Sequence, residues 1–196
     1  MIRLATPADA PAAAAIYAPY VTGAVISFEA VPPSAEEMAE RIVSTLAYAP
    51  YLVYLKEGEV LGFAYAARHR ERAAYRWSVD VSVYIHKRTQ RQGVGRALYT
   101  SLFALLGLQG FYAAHAGITL PNPGSVGLHE ALGFVPVGVY RSVGFKMGGW
   151  HDVGWWQLPL RDRTGEPAPP LSLAEAQARP EWPAAMAAGL ALLRRQ

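Results

Sequence analysis

The segment Gln90-Arg91-Gln92-Gly93-Val94-Gly95-Arg96-Ala97 is the pattern in this chain best suited to chemistry. It follows a strand-like run, Val79 to Ile85, and opens a helix with an apolar stripe. The first N–H groups of a helix have no partner inside it, and the aligned peptide dipoles add partial positive charge at that end. Glycines at 93 and 95 let a ligand approach the backbone without meeting a Cβ. A diphosphate suits such a place. A Walker loop needs Lys-Ser or Lys-Thr after its glycines, and a dinucleotide loop needs a third glycine where Leu98 stands. What remains is Gln/Arg-x-x-Gly-x-Gly/Ala, read from Gln90 or, one residue later, from Arg91. A surface turn with a basic flank is the plainer alternative.

A second constellation follows, Asn122-x-x-Ser125-x-x-x-His129-x-x-x-Gly133-Phe134. Ser125 and His129 are four residues apart and share a helix face. Asn122 sits at the helix entry, and Gly133 permits the left-handed cap that turns the chain into the next strand. The remaining histidines, 69, 86, 115 and 151, show no metal-ligand spacing, so no metal is expected. Arg70, Arg72, Tyr75 and Arg76 make a basic loop with one aromatic, suited to a carboxylate or phosphinate, or else simply solvated and interleaved with Glu71.

These residues need elements to position them. Ile2 to Ala5 reads as a first strand, and Thr6-Pro7-Ala8-Asp9 starts a helix running to about Ala18. Ser34-Ala35-Glu36-Glu37 starts another, with Met38, Ile42 and Leu46 on one face. Tyr51 to Lys56 and Val60 to Arg68 form a hairpin around Glu57-Gly58-Glu59. In the run from Ser78 to His86, valines 79, 81 and 83 with Ile85 take one face, and Asp80, Ser82 and Tyr84 take the other. Phe111 to Ile118, Phe134 to Arg141 and Val153 to Leu160 complete the strands, with Gly144 to His151 as a turn-rich connection. The fold class is α/β, more closely an α+β mixed sheet with helices on both faces.

Length and composition bound the rest. At 196 residues and 52% hydrophobic, the chain supports one domain with a sizeable core. It has no cysteine, which excludes thiol catalysis and disulfides. No secretory leader or membrane span is expected. A net charge of +3 without a basic stripe argues against nucleic acid. From Asp162 the character changes: five of the fifteen prolines lie between Pro167 and Pro183. The expected organisation is a domain over 1–161, a Pro-rich linker over 162–183 and a C-terminal amphipathic helix over 184–196. Trp182, Met186, Leu190 and Leu193 would form its apolar face, docked on the domain, on a partner subunit or on a membrane surface.

Both motifs and the strand order resemble the GCN5-related N-acetyltransferase superfamily, whose pyrophosphate loop holds coenzyme A. Closer blocks resemble the phosphinothricin N-acetyltransferase family and its relatives that acetylate methionine sulfoximine and sulfone. These blocks include Ser27-Phe28-Glu29, Gly62 to Ala66, Ala74 to Trp77, Gly127 to Phe134 and Trp150 to Leu158. The resemblance covers roughly 1–160 and leaves the tail outside.

The resemblance implies the superfamily's central, mostly antiparallel mixed sheet and direct attack of a substrate amine on acetyl-CoA, with no metal. It places the backbone of Val83, Tyr84 and Ile85 along the pantetheine arm, with β-strands splayed there. Gln90, Arg91, Gln92, Gly93, Val94, Gly95 and Arg96 would hold phosphates, joined by Asn122 and Ser125. His129 is implied as a proton-handling group. The family has Glu where this chain has Asp80, one methylene shorter, so a bridging water or Glu29 becomes an alternative route for the base. Phe28 joins the basic loop as a candidate substrate contact. A cytoplasmic homodimer acting on a small amino acid, with herbicide resistance as a consequence, completes the expectation. A methionine sulfone or sulfoximine acetyltransferase, a broader amino-acid acetyltransferase and a noncatalytic acyl-CoA-binding module are the alternatives.

Overall fold

The computed structural model describes residues 1–193. Its elements run β1 (Ile2–Leu4), α1 (Ala10–Thr22), α2 (Ala35–Leu46), β2 (Tyr51–Lys56), β3 (Glu59–Arg68), β4 (Ser78–Ile85) and α3 (Val94–Gln109). They continue with β5 (Ala113–Leu120), α4 (Pro123–Ala131), β6 (Val135–Lys146), β7 (Gly149–Pro159), α5 (Leu173–Gln177) and α6 (Trp182–Ala187). The strands form one sheet in the order β1-β2-β3-β4-β5-β7-β6. Every neighbouring pair is antiparallel except β4 with β5.

Local chemistry explains these elements. At α2 the Ser34 hydroxyl accepts from the Glu37 N–H at 3.1 Å, and the Glu37 carboxylate accepts from the Ser34 N–H at 2.7 Å. That reciprocal cap satisfies two otherwise orphaned donors. Glu57 and Gly58 both have positive φ, 54° and 83°, which is the primed turn a two-residue hairpin needs between β2 and β3. One face of the sheet carries α3, whose Leu98, Leu102, Leu105 and Leu106 are wholly buried with Val79 and Val81. The other face carries α1 and α2, packed through Ile16, Tyr17, Met38 and Ile42 onto Val53 and Phe63. Truncating one of those leucines to alanine typically costs about 2–5 kcal/mol.

Two expectations need correction. The stretch from Gly144 to His151 is not a turn-rich connection: β6 and β7 pair out to Lys146↔Gly149, making one long hairpin with a tight turn at Met147 and Gly148. Glycines 144, 148 and 149 suggested loop, but irregular pairing between Tyr140 and Gly144 absorbs the break without ending the strand.

The tail also differs. The segment over 162–183 contains α5, capped by Ser172 and Glu175 in the same reciprocal way as α2. It runs along α3, with Leu171 N–H donating to the Gln109 carbonyl at 2.7 Å. The terminal helix expected over 184–196 is instead α6, which ends at Ala187 and is followed by a single 3-10 turn at Leu190–Leu192. Gly189 lies between the two and makes the close approach to α3 possible. A Cβ there would stand 1.9 Å from the Ala97 carbonyl oxygen, so only a glycine lets the chain press on α3 at this point. Trp182, Met186 and Leu193 pack on the core as expected, whereas Leu190 is exposed. The Arg194-Arg195 pair lies outside the described residues.

Candidate active site

The decisive geometry lies between β4 and β5. They pair only at Ser78↔Ala113, Val79↔Ala114 and Asp80↔His115. Past that point β4 stays with β3 as far as Ile85, and β5 stays with β7 as far as Leu120. The two strands therefore part, and the gap is lined by Val81 to Tyr84 on one side and Ala116 to Thr119 on the other. It meets a cleft of about 680 Å³ that runs along Val83, Tyr84 and Ile85 to the start of α3.

That cleft gathers most of the residues expected to hold a coenzyme: Val83 to Ile85, Gln90, Arg91, Gly93 to Arg96, Asn122 and Ser125. The first helical bond of α3 runs from the Ala97 N–H to the Gly93 carbonyl, so the N–H groups of Val94, Gly95 and Arg96 emerge at the helix end without intrahelical partners. Gly93 has φ 84° and Arg91 φ 60°, a curl that turns the loop around this point. Arg91 and Arg96 are exposed beside it. The donor set fits a diphosphate on an extended thioester ligand. Gln90 and Gln92 serve the loop itself. Gln90 Nε2 donates to the Tyr20 hydroxyl at 3.1 Å, which donates to the Ile85 carbonyl at 2.6 Å. Gln92 Nε2 donates to the Arg88 carbonyl at 2.8 Å, and Gln92 does not line the cleft.

Asn122 caps α4, its Oδ1 accepting from the Ser125 N–H at 3.1 Å. His129, one turn after Ser125 on the same face, is only 3% exposed and lines the gap. Its Nδ1 lies 2.8 Å from the Ser125 carbonyl, which can only accept, so Nδ1 carries the hydrogen. Nε2 then accepts from the Tyr99 hydroxyl at 3.2 Å. Burial pushes the imidazole below its ordinary value and keeps it neutral, with the Ser125 bond opposing that shift.

Asp80 lies at the last β4–β5 pair, on the opposite face of the sheet from His129. Its carboxylate is 2.7 Å from His69 Nδ1, and burial raises its pKa against the pull of that bond. His69 stacks on His115, ring centroids 4.3 Å apart and planes 18° from parallel. Tyr75 and Trp155 meet His69 edge-on. These histidines were excluded as metal ligands on spacing, yet the fold brings one nitrogen of each and an Asp80 oxygen within 4.8 Å of one another. Stacked rings do not suit an ion, because a cation in the plane of one ring lies out of the plane of the other.

The remaining candidates divide. Glu29 is held by Arg41 at 2.8 and 3.0 Å and by the Tyr17 hydroxyl at 2.9 Å. The Arg41 bonds keep its carboxyl below the usual range, which makes it a poor proton acceptor. Phe28 lies against Gly144, where any Cβ would meet its ring at 2.1 Å, so the 27–29 loop docks on the β6–β7 hairpin. Lys146 Nζ reinforces this by donating to the Ser27 carbonyl at 2.5 Å and to the Val21 carbonyl at 2.6 Å. Arg70 stays near the His69 cluster, donating to the His69 carbonyl at 2.7 Å and lying 5.9 Å from the Trp155 ring centre. Arg76 turns away to Trp77, and Arg72 is exposed at the start of the 73–75 turn.

A parted β4–β5 pair, a glycine loop at the start of α3 and an Asn-capped α4 together characterise one family, and the acetyltransferase (GNAT) domain matches residues 2–155. This chain belongs to the GNAT acetyltransferase family. It is 42% identical to a phosphinothricin N-acetyltransferase of Streptomyces viridochromogenes over 86% of this chain and 90% of that protein. It is 44% identical to another from Alcaligenes faecalis, over 81% of this chain and 82% of the relative. Among solved structures, a phosphinothricin acetyltransferase from Sinorhizobium meliloti in complex with AcCoA superposes with a TM-score of 0.82 at 37% identity. That match covers 86% of this chain and 92% of the other.

The GNAT fold thus explains why residues distant in sequence converge here. Sequence reasoning missed Tyr99, Tyr20, His69 and His115. Tyr99 and Tyr20 belong to no motif, and their partners His129 and Ile85 come from other elements. The histidines are tied to Asp80 only through strand register and a loop contact, which no local spacing encodes.

Proposed function

We propose that this GNAT protein transfers the acetyl group of acetyl-CoA to the α-amino group of a small amino acid of the phosphinothricin type, directly within a ternary complex. The observation that carries this reading is the β4–β5 gap. A phosphate-ready cleft with His129 and Tyr99 opens on one side of the sheet, and a carboxylate–histidine cluster with Arg70 lies on the other. Acetyl-CoA entering along Val83 to Ile85 brings its thioester to the gap from the first side, and the amine reaches it from the second.

Three needs of the reaction have candidates. The helix-end N–H groups, with Arg91 and Arg96, anchor the phosphates and hold the thioester in place. The Tyr99–His129 pair keeps a hydroxyl proton and an imidazole beside the gap, where the departing sulfur needs a proton. Arg70 supplies a charge for the carboxylate or phosphinate of the substrate, and Phe28 borders the same side. Residues 1–161 form the catalytic unit in this reading, and the tail is a strap on α3.

The enzyme works in the cytoplasm, where acetyl-CoA is available, and as a homodimer. Support for the dimer is the edge strand β6: Val137 and Phe145 on it and Trp150 across the hairpin are 61%, 62% and 66% exposed. A long apolar edge of this kind calls for a partner. Light scattering should give twice the chain mass, and a monomer at micromolar concentration would overturn the dimer. Acetylation of phosphinothricin would also protect a sensitive host expressing the protein.

The test of function is thiol release from acetyl-CoA across a panel of amino acids including phosphinothricin, methionine sulfone and methionine sulfoximine. The expected result is the highest kcat/KM with phosphinothricin. Tight acetyl-CoA binding by calorimetry with release from none of them would mark a noncatalytic module.

A further inference from the structure

We propose that His69, held in place by Asp80, is the group that takes the proton from the substrate's amine. This deepens the acetyltransferase reading and rests on it. The position of Asp80 suggests a direct carboxylate base, but the geometry divides that role between two residues. An ionised carboxylate can only accept, so the 2.7 Å contact fixes the hydrogen on His69 Nδ1. The lone pair is then on Nε2, the basic nitrogen of the neutral ring. A carboxylate behind an imidazole fixes its tautomer and stabilises the cation formed when the ring is protonated.

The surroundings support this division of labour. Asp80 occupies the last β4–β5 pair, at the closed end of the gap where the thioester must lie. The His69 and Asp80 side chains are 15% and 31% exposed, which leaves the pair shielded yet reachable. Stacking on His115 and edge contacts with Tyr75 and Trp155 hold the His69 ring from several sides. His115 bonds the Val79 backbone, and its Nδ1 is buried with no partner among the described residues, an acceptor left over beside the dyad. The charged and titratable groups facing the pair are His115 from β5 and Arg70 and Tyr75 from the 69–77 loop, with the charge of Arg163 from the tail felt at His115.

The proton count closes. The substrate ammonium gives one proton to His69 Nε2, and the freed nitrogen lone pair attacks the thioester carbonyl carbon. The C–N bond forms, the C–S bond breaks, and sulfur leaves with the bonding pair. The nitrogen's second proton balances the one taken up by sulfur, yielding the amide and free thiol. His69 returns its proton to solvent. In this scheme Asp80 is a positioning residue, and its short side chain fits a partner that stands between it and the amine.

The experiment measures kcat/KM for the amino acid against pH, by thiol release, in the wild type and in His69→Gln, His69→Ala and Asp80→Asn. His69→Gln keeps an N–H for Asp80 and much of the shape but has no basic nitrogen. Expected is a drop of about 10²-fold or more in both His69 variants, loss of the acidic limb of the profile, and a KM for acetyl-CoA within twofold. Asp80→Asn should fall comparably. A His69→Gln enzyme that keeps its rate and acidic limb while Asp80→Asn loses them would overturn the proposal and make Asp80 the direct base. Wild-type protein inert toward every amine would overturn the underlying acetyltransferase reading instead.

Discussion

The carbonyl oxygen of Leu192 lies 2.7 Å from the point where a Cβ on Gly93 would stand. The last turn of the tail therefore touches the glycine loop, and Leu192 lines the same cleft as Arg91 and Arg96. Gly93 is required twice, for its φ of 84° and for this contact. Gly93→Ala places a Cβ in a left-handed conformation, at about 1 kcal/mol or more, and pushes against the Leu192 carbonyl of the tail. The expected outcome is a weaker acetyl-CoA complex, by tenfold or more in calorimetry, with only a modest fall in melting temperature. Unchanged affinity would show that the loop does not hold the coenzyme.

Ser101 tests the strap from the other side. Its hydroxyl donates to the Met186 carbonyl at 2.8 Å and accepts from the Gly189 N–H at 3.0 Å, deep in α3. Ser101→Ala orphans both groups, which costs about 1–3 kcal/mol. Because the tail hangs on this side chain, Ser101→Ala should expose the Pro-rich segment to limited proteolysis well before the domain melts. A protease pattern identical to wild type would mean the apolar contacts of Trp182 and Met186 suffice.

The sequence made the cofactor side legible because its signals are local. A glycine loop after a strand, an Asn cap three residues before Ser125 and a capping box each occupy a short window. The parting of β4 and β5 was expected only through family resemblance, since pairing register depends on the whole sheet. The substrate side was legible only in fragments. Glu29 stood as an alternative base because Arg41, the partner that holds it, comes from another element. His69 and His115 read as scattered histidines because only a β-ladder and a ring stack join them. The tail hid a capping box in Ser172-Leu173-Ala174-Glu175 behind its prolines.

His129 and Tyr99 should behave as one unit. His129→Ala is expected to lower kcat by about 10²-fold or more while acetyl-CoA affinity stays within threefold. Tyr99→Phe keeps the ring packing and removes only the hydroxyl, so its kcat should fall in the same direction with an unchanged melt. The double variant should be little worse than His129→Ala alone, since both changes break one hydrogen bond. Additive losses would separate the two residues.

The buried neutral His129 also predicts an acid-sensitive fold. Burial lowers its folded pKa below the ordinary 6.5. As pH falls through 6.5 the unfolded chain takes up a proton that the folded chain refuses, so stability declines. His115 is shifted the same way by burial and adds to the slope. Denaturant midpoints in wild type and His129→Gln should therefore converge between pH 7 and pH 5, the wild type losing the more. Parallel curves would mean that His129 is readily protonated in the folded state.

Glu29 offers the sharpest separation of positioning from proton transfer. Its ion pair with Arg41 is half open to solvent, the side chains being 35% and 47% exposed, so its net worth is about 0–1 kcal/mol. Glu29→Gln should barely move the melting temperature. It should, however, loosen the 27–29 loop, since both Arg41 and the Tyr17 hydroxyl hold that carboxylate. Phe28 rides on the same loop and borders the substrate side. The expected result is a several-fold rise in KM for the amino acid with kcat within twofold. That pattern is a loss of uniform binding, distinct from a loss of transition-state stabilisation. Should kcat instead collapse by two orders of magnitude at unchanged KM, Glu29 would have to be the base, and the Arg41 pair would have to open during turnover.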